Sequence, residues 1–488
     1  MADEQAEPTT VASISSDLVA DPGNSSMCLY PFVQISTIPS GFVRPCCYYT
    51  KFLVDNADPT NASDKPDRQD TKKFNVSRDS VKSIWESENM AIIRRQMLQG
   101  KPLHGCNQCY REDQVGSTSL RQRSFKEWGH HPGVQSAVQQ ALEKNGHITE
   151  PIRYFELKPG NLCNLKCRMC NQFDSSKVAG EMRELAEKYG VPHMLTQARM
   201  LDEGRVEADF DISRMPDWSK LDAFWAEADT LLPHLETISI AGGEPMLLQN
   251  VERFLHRAVK TGHSRHMKVF LASNFTHFND DFFDIAGNFE LFEFIASVDG
   301  YGETQEYIRY PAKWPIIAEN FKKAKARIVP NRLKALTNIT LQILNVMTVT
   351  ELLDWIDTLE LEAPHFHQHP YFLNILSHPS YLAIQNLPVK AREIAVERFE
   401  AYRARSIIIK KFPEMNERID LIVEVLKAAP PADYEARLRE FVKTQCVLDE
   451  HRGQSLQQFN PELFKIIQDE LRDRFQSDWN QVAREVPL

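Results

Sequence analysis

Three cysteines on one short segment carry the clearest chemistry in this chain of 488 residues. Cys163, Cys167 and Cys170 lie in the run Asn161-Leu-Cys-Asn-Leu-Lys-Cys-Arg-Met-Cys170, a C-x3-C-x2-C spacing that lets three thiolates reach one metal centre. Iron–sulfur clusters usually take four cysteines. A set of three leaves one iron without a protein ligand, and an open metal position is where substrate chemistry takes place. The spacing therefore predicts a catalytic metal centre, with a zinc site or three unrelated buried thiols as the alternatives.

Polar motifs follow the next apolar segments of the chain. Gly242 and Gly243 precede Glu244 and Pro245, and glycines let a backbone approach a ligand closely. The carboxylate of Glu244 can accept a hydrogen bond from an ammonium group, although the run alone would be an ordinary turn. Arg309 lies further on, where its guanidinium can pair with a carboxylate of a ligand or form a surface ion pair. The other polar residues that end apolar segments are Ser273, Asn274, Ser297 and Asp299.

A second group of cysteines precedes the first. Cys28, Cys46 and Cys47 lie near the start of the chain, and Cys106-Asn-Gln-Cys109 adds a C-x2-C pair. Clustered cysteines of a cytosolic protein indicate metal ligands rather than disulfides. Separated cysteine pairs suit an iron–sulfur cluster and also a structural zinc site, so both remain open.

From residue 151 onward, short apolar runs alternate with amphipathic helical runs, and these elements must hold the motifs. Repeated βα units predict a parallel sheet, whose ligands bind at the carboxyl ends of the strands, where the motifs fall. Residues 388–488 have helical periodicity, and the polar stretch 1–26 is typical of a disordered tail. The predicted strands are 153–159, 236–241, 267–273, 292–298, 338–346 and 366–375. The predicted helices between and after them are 177–189, 218–231, 247–261, 279–287, 313–328 and 349–360.

Together with the motifs that follow it, the three-cysteine segment resembles the signature of radical S-adenosylmethionine (SAM) enzymes. The resemblance implies an α/β fold, with a partial (β/α)6 barrel of the TIM type over residues 151–387. It implies a [4Fe–4S] cluster on Cys163, Cys167 and Cys170, whose open iron binds SAM and cleaves it to a 5′-deoxyadenosyl radical that abstracts hydrogen. Phe275 stands where many relatives have a glycine. The residues that the resemblance implies in the SAM site are Gly242, Gly243, Glu244, Pro245, Ser273, Asn274, Ser297, Asp299 and Arg309.

The upstream cysteines resemble the SPASM/Twitch module of the same superfamily: a first cysteine, a G-x4-C hairpin at 41–46, an Ile-Trp helix and a C-x2-C pair. The resemblance implies an auxiliary module over residues 27–150 with one auxiliary [4Fe–4S] cluster, because a single C-x2-C pair is present. In most relatives this module follows the barrel, whereas here it precedes it. Cys47 competes with Cys46 for one ligand position. The implied ligands are Cys28, Cys46, Cys106 and Cys109.

Three histidines alternate in the sixth predicted strand. His365, His367 and His369 share one face of that strand, so they can contact a substrate, relay a proton or bind a metal. A histidine face that is exposed or satisfied internally is the alternative. Gln342 and Asn345, in the fifth predicted strand, are further candidates for the substrate pocket.

The resemblance implies hydrogen abstraction followed by oxidation or cross-linking of a peptide, a sugar or a small molecule, with the auxiliary cluster as electron acceptor. Its implied partners are SAM and a reductant such as flavodoxin or ferredoxin. A radical SAM epimerase is a second possibility; it needs a hydrogen donor, and Cys446 is the spare thiol besides Cys47. Cys446 stands alone in a helical segment, which is typical of a buried, inert thiol. A zinc-binding interaction protein would use the same cysteines without catalysis.

Composition excludes some classes of protein. The chain has 57 basic and 67 acidic residues and a net charge of −10, which argues against a general nucleic-acid binder. No apolar run reaches the length of a membrane span, and the acidic start lacks the features of a signal peptide. We therefore expect a cytoplasmic protein. The segment 448–456 resembles a tail of Twitch-bearing relatives, but the resemblance implies no chemical role for it.

Overall fold

A computed structural model describes residues 26–54, 73–114, 118–189, 217–329, 332–359 and 370–485. The strands within these ranges are β1 (Gln34–Thr37), β2 (Val43–Arg44), β3 (Tyr154–Leu157), β4 (Thr237–Ile240), β5 (Lys268–Ser273), β6 (Leu291–Ser297), β7 (Leu333–Leu341) and β8 (Tyr371–Ile375). They form one sheet in the order β2-β1-β3-β4-β5-β6-β7-β8. The β1–β2 pair is antiparallel and every other neighbouring pair is parallel. The predicted α/β class with a parallel sheet is confirmed.

Helices surround the sheet and extend beyond it. Those before β3 are α1 (Val81–Trp85), α2 (Glu88–Leu98), α3 (Asn107–Gln114), α4 (Leu120–Trp128) and α5 (Pro132–Glu143). Those between β3 and β8 are α6 (Ser176–Tyr189), α7 (Asp222–Leu231), α8 (Gln249–Lys260), α9 (Asp280–Ala286), α10 (Glu303–Ile308), α11 (Trp314–Ala326) and α12 (Val349–Asp357). Those after β8 are α13 (Val389–Arg405), α14 (Ile407–Lys411), α15 (Met415–Lys427), α16 (Tyr434–Arg452), α17 (Leu456–Phe459), α18 (Pro461–Phe475) and α19 (Trp479–Arg484).

The two faces of the sheet differ in polarity because side chains alternate along each strand. One face packs on helices: the ring of Phe155 lies 6.3 Å from that of Phe224 in α7, and the ring of Phe294 stacks on Phe283 of α9 at 4.1 Å. The opposite face is more polar, and toward the carboxyl ends of the strands its side chains are partly exposed. The partly exposed side chains are Ser239, Ala272, Ile295, Ser297, Asn338 and Thr340.

The six strands predicted after residue 151 correspond to β3–β8, and the fifth is displaced. It was expected at 338–346 but runs from Leu333 to Leu341. Lys334 lies opposite Glu293 in the sheet, so a charged residue hides the start of the strand from the apolar pattern. The apolar pattern continues past the end because residues 343–346 are buried in a turn. The first part of the sixth predicted strand, with His365, His367 and His369, lies outside the described residues.

The N-terminal segment contributes two strands to the same sheet. β1 pairs in parallel with β3, with Ile35 opposite Phe155, and β2 folds back on β1 as a hairpin. Gly41 lies in the hairpin loop at φ +82°, a conformation that favours glycine. The division of the chain at residue 150 stays a prediction, since the sheet continues across it.

The C-terminal part is helical, as predicted. Its helices pack against the sheet region, and the hydroxyls of Tyr371 in β8 and Tyr402 in α13 lie 3.0 Å apart. Among the described residues, none of the helices combines the length and the apolar character that crossing a membrane requires.

We expect Ile35→Ala to lower the free energy of unfolding by about 2–5 kcal/mol, because it leaves a cavity where β1 meets β3. Ile35 is fully buried. Urea unfolding followed by circular dichroism measures the effect. The matched control is Ile316→Ala in α11, where the side chain is 50% exposed. An equal loss in both variants would show that β1 does not contribute to the common core.

Candidate functional site

The three-cysteine segment forms a loop, 158–175, between β3 and α6. Its first part is fixed by the start of α6, where the hydroxyl of Ser176 accepts the N–H of Cys163 at 3.2 Å. The hydroxyl of Ser175 donates to the carbonyl of Leu165 at 2.7 Å. The N–H of Cys170 donates to the carbonyl of Cys167 at 3.0 Å, which closes a turn between the last two cysteines.

The three thiols of this loop are close enough to influence one another. Burial raises the pKa of Cys167 to about 11 and also raises the pKa values of Cys163 and Cys170. After burial and Asp174, the neighbouring thiols Cys167 and Cys163 raise the pKa of Cys170 further. Such thiols are protonated without a metal, and metal binding would displace their protons.

The Gly-Gly-Glu-Pro motif lies directly against the cysteine loop. The N–H of Glu244 donates to the carbonyl of Leu162 at 2.7 Å. A Cβ atom on Gly243 would lie 2.2 Å from that carbonyl oxygen, so only glycine permits this approach. Gly242 has a φ of +112°, and Pro245 opens a short 3-10 helix. The second glycine is therefore required by the packing of two loops.

The carboxylate of Glu244 joins the ends of β4 and β5. It accepts the N–H of Asn274 at 2.7 Å and the N–H of Met246 at 3.2 Å. Burial raises the pKa of Glu244 to about 7, although the Asn274 N–H, the Ser273 hydroxyl and the Met246 N–H lower it. Both carboxylate oxygens thus already have hydrogen-bond partners on the protein.

Asn274 links the end of β5 to the cysteine loop. Its amide nitrogen donates to the side-chain oxygen of Asn164 at 2.9 Å, and Asn164 donates to Thr276 at 2.7 Å. Phe275, where relatives have a glycine, has a φ of +56°. The backbone therefore keeps a conformation that glycine favours, and the buried Phe275 ring packs 5.5 Å from that of Phe321.

Arg309 lies between an acidic residue and a thiol. Its Nε donates to Asp299 at 2.7 Å, and its Nη1 lies 3.8 Å from the sulfur of Cys167. The other oxygen of Asp299 accepts the N–H of Thr340 at 2.8 Å. Ser297 ends β6 on the polar face of the sheet. Arg309 is thus a cation beside the cysteine loop, with its side chain 12% exposed.

Gln342 and Asn345 lie beyond the end of β7, not in the strand. The amide nitrogen of Asn345 donates to the carbonyls of Asp299 and Thr340, and its oxygen accepts the N–H of Gln342. Asn345 therefore braces the ends of β6 and β7. The side-chain amide of Gln342 is buried and has no hydrogen-bond partner among the described residues.

Four of the upstream cysteines line a separate cavity. Its lining includes Cys28, Cys46, Cys106 and Cys109, together with aromatic and apolar side chains. Burial raises the pKa of Cys28 to about 11 and that of Cys46 well above its usual value. Cys47 is outside this lining: Glu156, on the polar face of the sheet, hydrogen-bonds to it and raises its pKa after burial. The structure groups Cys46, rather than Cys47, with the other three thiols.

The four thiols of the upstream cavity line its wall instead of meeting at a point. Over the described parts of the chain, no group of three or more His, Cys, Asp or Glu side chains is placed to hold a single metal ion.

The sequence analysis missed one group of residues around the cysteine loop. Arg168, between Cys167 and Cys170, is buried and forms an ion pair with Asp449 of α16 at 2.5 Å. A charged residue in a loop of expected metal ligands was one signal, because a buried charge needs an oppositely charged partner. The resemblance of 448–456 to a family tail was the other signal.

Comparison with known proteins identifies one segment. Residues 28–110 match the family model of SPASM, described as an iron–sulfur cluster-binding domain, which confirms the predicted auxiliary module there. The sequence matches no curated protein at a significant level.

Solved structures overlap with the chain only loosely. SuiB of Streptococcus suis bound to the precursor peptide SuiA is 11% identical, with 67% of this chain and 68% of that chain covered and a TM-score of 0.32. SuiB bound to S-adenosylmethionine is 12% identical, with 66% and 68% covered and a TM-score of 0.33. Native anSMEcpe with bound AdoMet and the Cp18Cys peptide is 15% identical, with 51% and 59% covered and a TM-score of 0.29.

We expect Gly243→Ala to lower the free energy of unfolding by about 1–3 kcal/mol, because the added methyl group overpacks the contact with the cysteine loop. Gly180→Ala in α6 is the control, since nothing lies within 4 Å of its Cβ position. Alanine stabilises a helix relative to glycine, so the control should be neutral or slightly more stable. Urea unfolding of both variants measures the difference, and equal stabilities would contradict the close approach.

We expect the stability of the metal-free protein to fall between pH 4.5 and about 7 more steeply than that of Glu244→Gln. The folded protein holds the proton of Glu244 with a pKa near 7, against an ordinary value of 4.5. The stabilising contribution is therefore complete below pH 4.5 and is lost as the pH rises through 7. The full effect is about 3 kcal/mol.

Melting temperatures measured across this pH range test the expectation for Glu244. Glu319→Gln, at an exposed position of α11, is the control and should keep the pH dependence of the wild type. A Glu244→Gln profile parallel to that of the wild type would show that Glu244 ionises normally.

Proposed function

We propose that this protein is a radical SAM enzyme with one auxiliary iron–sulfur cluster, acting in the cytoplasm. In this proposal residues 27–150 are the auxiliary module, residues 151–387 the catalytic core and residues 388–488 a helical region that packs on it. One observation carries the proposal. One buried and two half-buried thiols share a loop at the carboxyl edge of a parallel sheet, against a glycine-rich motif and an arginine side chain that is 12% exposed.

Cys163, Cys167 and Cys170 would hold a [4Fe–4S] cluster whose fourth iron is left for SAM. The donor set suits a cluster in its chemistry, because these are thiols that influence one another's pKa beside the guanidinium of Arg309, although in this structure they do not converge on a single metal ion. When bound, the SAM-ligated cluster supplies the electron that cleaves SAM to methionine and a 5′-deoxyadenosyl radical. The protein's own task is to position the ligand and keep water away from it.

The ends of the neighbouring strands would bind the rest of SAM. Gly242 and Gly243 allow the backbone to approach the ligand, and Glu244 holds that backbone in place through Asn274. The role of Glu244 toward the SAM amino group requires one carboxylate oxygen to accept an additional hydrogen bond. Arg309, fixed by Asp299, supplies the cation for the SAM carboxylate. Pro245, Ser273 and Ser297 complete the proposed site.

Cys28, Cys46, Cys106 and Cys109 would hold the auxiliary cluster. The match of residues 28–110 to an iron–sulfur domain and the shared cavity of the four thiols support this assignment. Ligation by four cysteines leaves no iron free for the substrate. We therefore propose that this cluster accepts the second electron from the substrate, and that flavodoxin or ferredoxin reduces the catalytic one.

The polar face of the sheet, near the carboxyl ends of its strands, is the proposed substrate surface. Partly exposed Ser297, Asn338 and Thr340 offer hydrogen-bonding groups there. Such groups are suited to binding a peptide, a sugar or another polar small molecule. This substrate would be oxidised or cross-linked after hydrogen abstraction.

An epimerase is the second candidate, and the position of Cys47 favours it. The thiol of Cys47 contacts Glu156 on the polar face of the sheet, where a hydrogen donor would be needed. Cys446 instead lies in α16, where it hydrogen-bonds to Trp479 of α19. If the product is an epimer, Cys47→Ala should abolish the uptake of solvent deuterium into it while Cys446→Ala retains that uptake. Loss in Cys446→Ala alone would reverse the assignment.

We expect about eight irons and eight sulfides per chain after anaerobic reconstitution, and about four of each after Cys163, Cys167 and Cys170 are all replaced by alanine. The wild type should also form 5′-deoxyadenosine from SAM with dithionite, and the triple variant should form none. Iron, sulfide and zinc analysis together with chromatography of the nucleoside measure these quantities.

The control replaces Cys446, a thiol outside both ligand groups, by alanine and should keep the wild-type iron content. About four irons in the wild type and none in the triple variant would support the catalytic cluster alone. The upstream cysteines would then bind zinc or no metal. A protein that contains zinc and no iron would overturn the enzyme proposal in favour of an interaction protein.

A further inference from the structure

We infer that the C-terminal segment 445–456 positions the cysteine loop for its cluster, with Asp449 as the main positioning residue. The inference rests on the proposed function, because it assigns a role toward the cluster held by that loop. The segment belongs to α16 and to the turn that follows it. It contains residues 448–456, the segment that resembles a tail of Twitch-bearing relatives and for which that resemblance implies no chemical role.

The side chain of Arg168 is the point of attachment. Its Nη1 donates to Gln445 at 2.6 Å, and its Nη2 donates to Asp449 at 2.5 Å and to Gln454 at 2.9 Å. Its Nε donates to the carbonyl of Tyr307 at 3.0 Å, and the guanidinium lies 3.7 Å from the centre of the Tyr307 ring. Each guanidinium nitrogen therefore has a partner, and three of the four acceptors come from 445–456.

Asp449 gathers three segments at one carboxylate. Besides Arg168, its Oδ1 accepts the hydroxyl of Tyr307 at 2.8 Å. Its Oδ2 accepts the N–H of Leu456 at 2.7 Å, which fixes the turn after α16. The Asp449 side chain is 13% exposed and that of Arg168 is fully buried. Charge-assisted hydrogen bonds in such surroundings are strong and directional.

A second ion pair fixes the other side of the loop. Arg452 donates to both oxygens of Glu181 in α6, at 2.9 and 2.6 Å, and both side chains are almost fully buried. Lys166 of the cysteine loop lies 3.4 Å from the same carboxylate. The segment thus binds the loop directly at Arg168 and, through Glu181 of α6, indirectly at Lys166.

These contacts act on the proposed ligands themselves. Arg168 directly follows Cys167 and lies two residues before Cys170. Tyr307 lies two residues before Arg309, whose guanidinium faces the Cys167 sulfur. One carboxylate, Asp449, therefore binds side chains from both sides of that contact. The arrangement explains why a chain with a catalytic loop on its sheet also requires a distant helix.

The test compares Asp449→Asn with Glu450→Gln in the full, reconstituted chain. Glu450 neighbours Asp449 in α16, but its side chain is 64% exposed and pairs with Lys188, away from the loop. Two quantities are measured: the change that SAM causes in the electron paramagnetic resonance spectrum of the reduced protein, and the rate at which iodoacetamide alkylates each cysteine after iron is removed.

We expect Asp449→Asn to speed the alkylation of Cys163, Cys167 and Cys170 by about tenfold or more, because a buried arginine loses its charged partner. The auxiliary cysteines should react at wild-type rates. The spectral change caused by SAM should be lost or altered, whereas Glu450→Gln should match the wild type in both measurements. A purely structural role would not alter the spectrum of a variant that retains its iron.

Arg168→Lys provides a second variant in case Asp449→Asn does not fold, since lysine keeps the charge but not the forked geometry. It should alter the spectrum in the same direction. Wild-type alkylation rates and an unchanged SAM effect in a folded variant would overturn the inference alone. An iron content that is the same in the wild type and in the variant without Cys163, Cys167 and Cys170 would overturn the proposed function and this inference together.

Discussion

The cysteine loop has no helix or strand of its own, so its position depends on contacts with other parts of the chain in addition to a few hydrogen bonds within it. Residues 158–175 are all irregular. Buried backbone groups need hydrogen-bond partners, and here the carbonyl of Leu162 finds one at Glu244, while the N–H groups of Lys166 and Arg168 find theirs at residues 310 and 308. The positions of the three thiols therefore depend on the segment after β4, on the end of α10 and on the C-terminal helices.

The two groups of cysteines are built on neighbouring strands. β1 lies beside β3, and Cys46 and Cys47 follow β2, the strand that pairs with β1. The adjacent thiols Cys46 and Cys47 point to different surroundings, one to the upstream cavity and the other to Glu156. The upstream module is thus joined to the sheet by strand pairing and not only through the chain. Such a junction fixes the orientation of the module more firmly than a flexible linker does.

Local patterns predicted the local elements well. The predicted bounds of β3–β6 agree with the observed ones to within a few residues, because the apolar runs end where the strands end. The predicted bounds of β7 were displaced because its first part contains Lys334, which lies opposite Glu293 of the neighbouring strand. No local pattern reveals that pairing. The pairing of β1 with β3 escaped prediction for the same reason, since about 120 residues separate Ile35 from Phe155.

The candidate site was predictable where a motif lies within a few residues and unpredictable where partners are distant. The cysteines and the Gly-Gly-Glu-Pro run were found by spacing. The partners of Arg168 were not, because Asp449 follows it by 281 residues. The bracing role of Asn345 was also not predictable from the sequence. Its side-chain amide donates hydrogen bonds to the carbonyls of Asp299 and Thr340. Hydrogen bonds across a fold depend on geometry that periodicity does not encode.

The separation of Arg168 from Asp449 has a consequence for biosynthesis. A ribosome adds about 5–20 residues per second, so the loop emerges roughly half a minute before the helix that holds it. During that interval the thiols lie on a segment without its buried ion pair, open to oxidants and to stray metal ions. Were the loop to bind a cluster as proposed, assembly in the folded geometry would have to await translation of the distal helix.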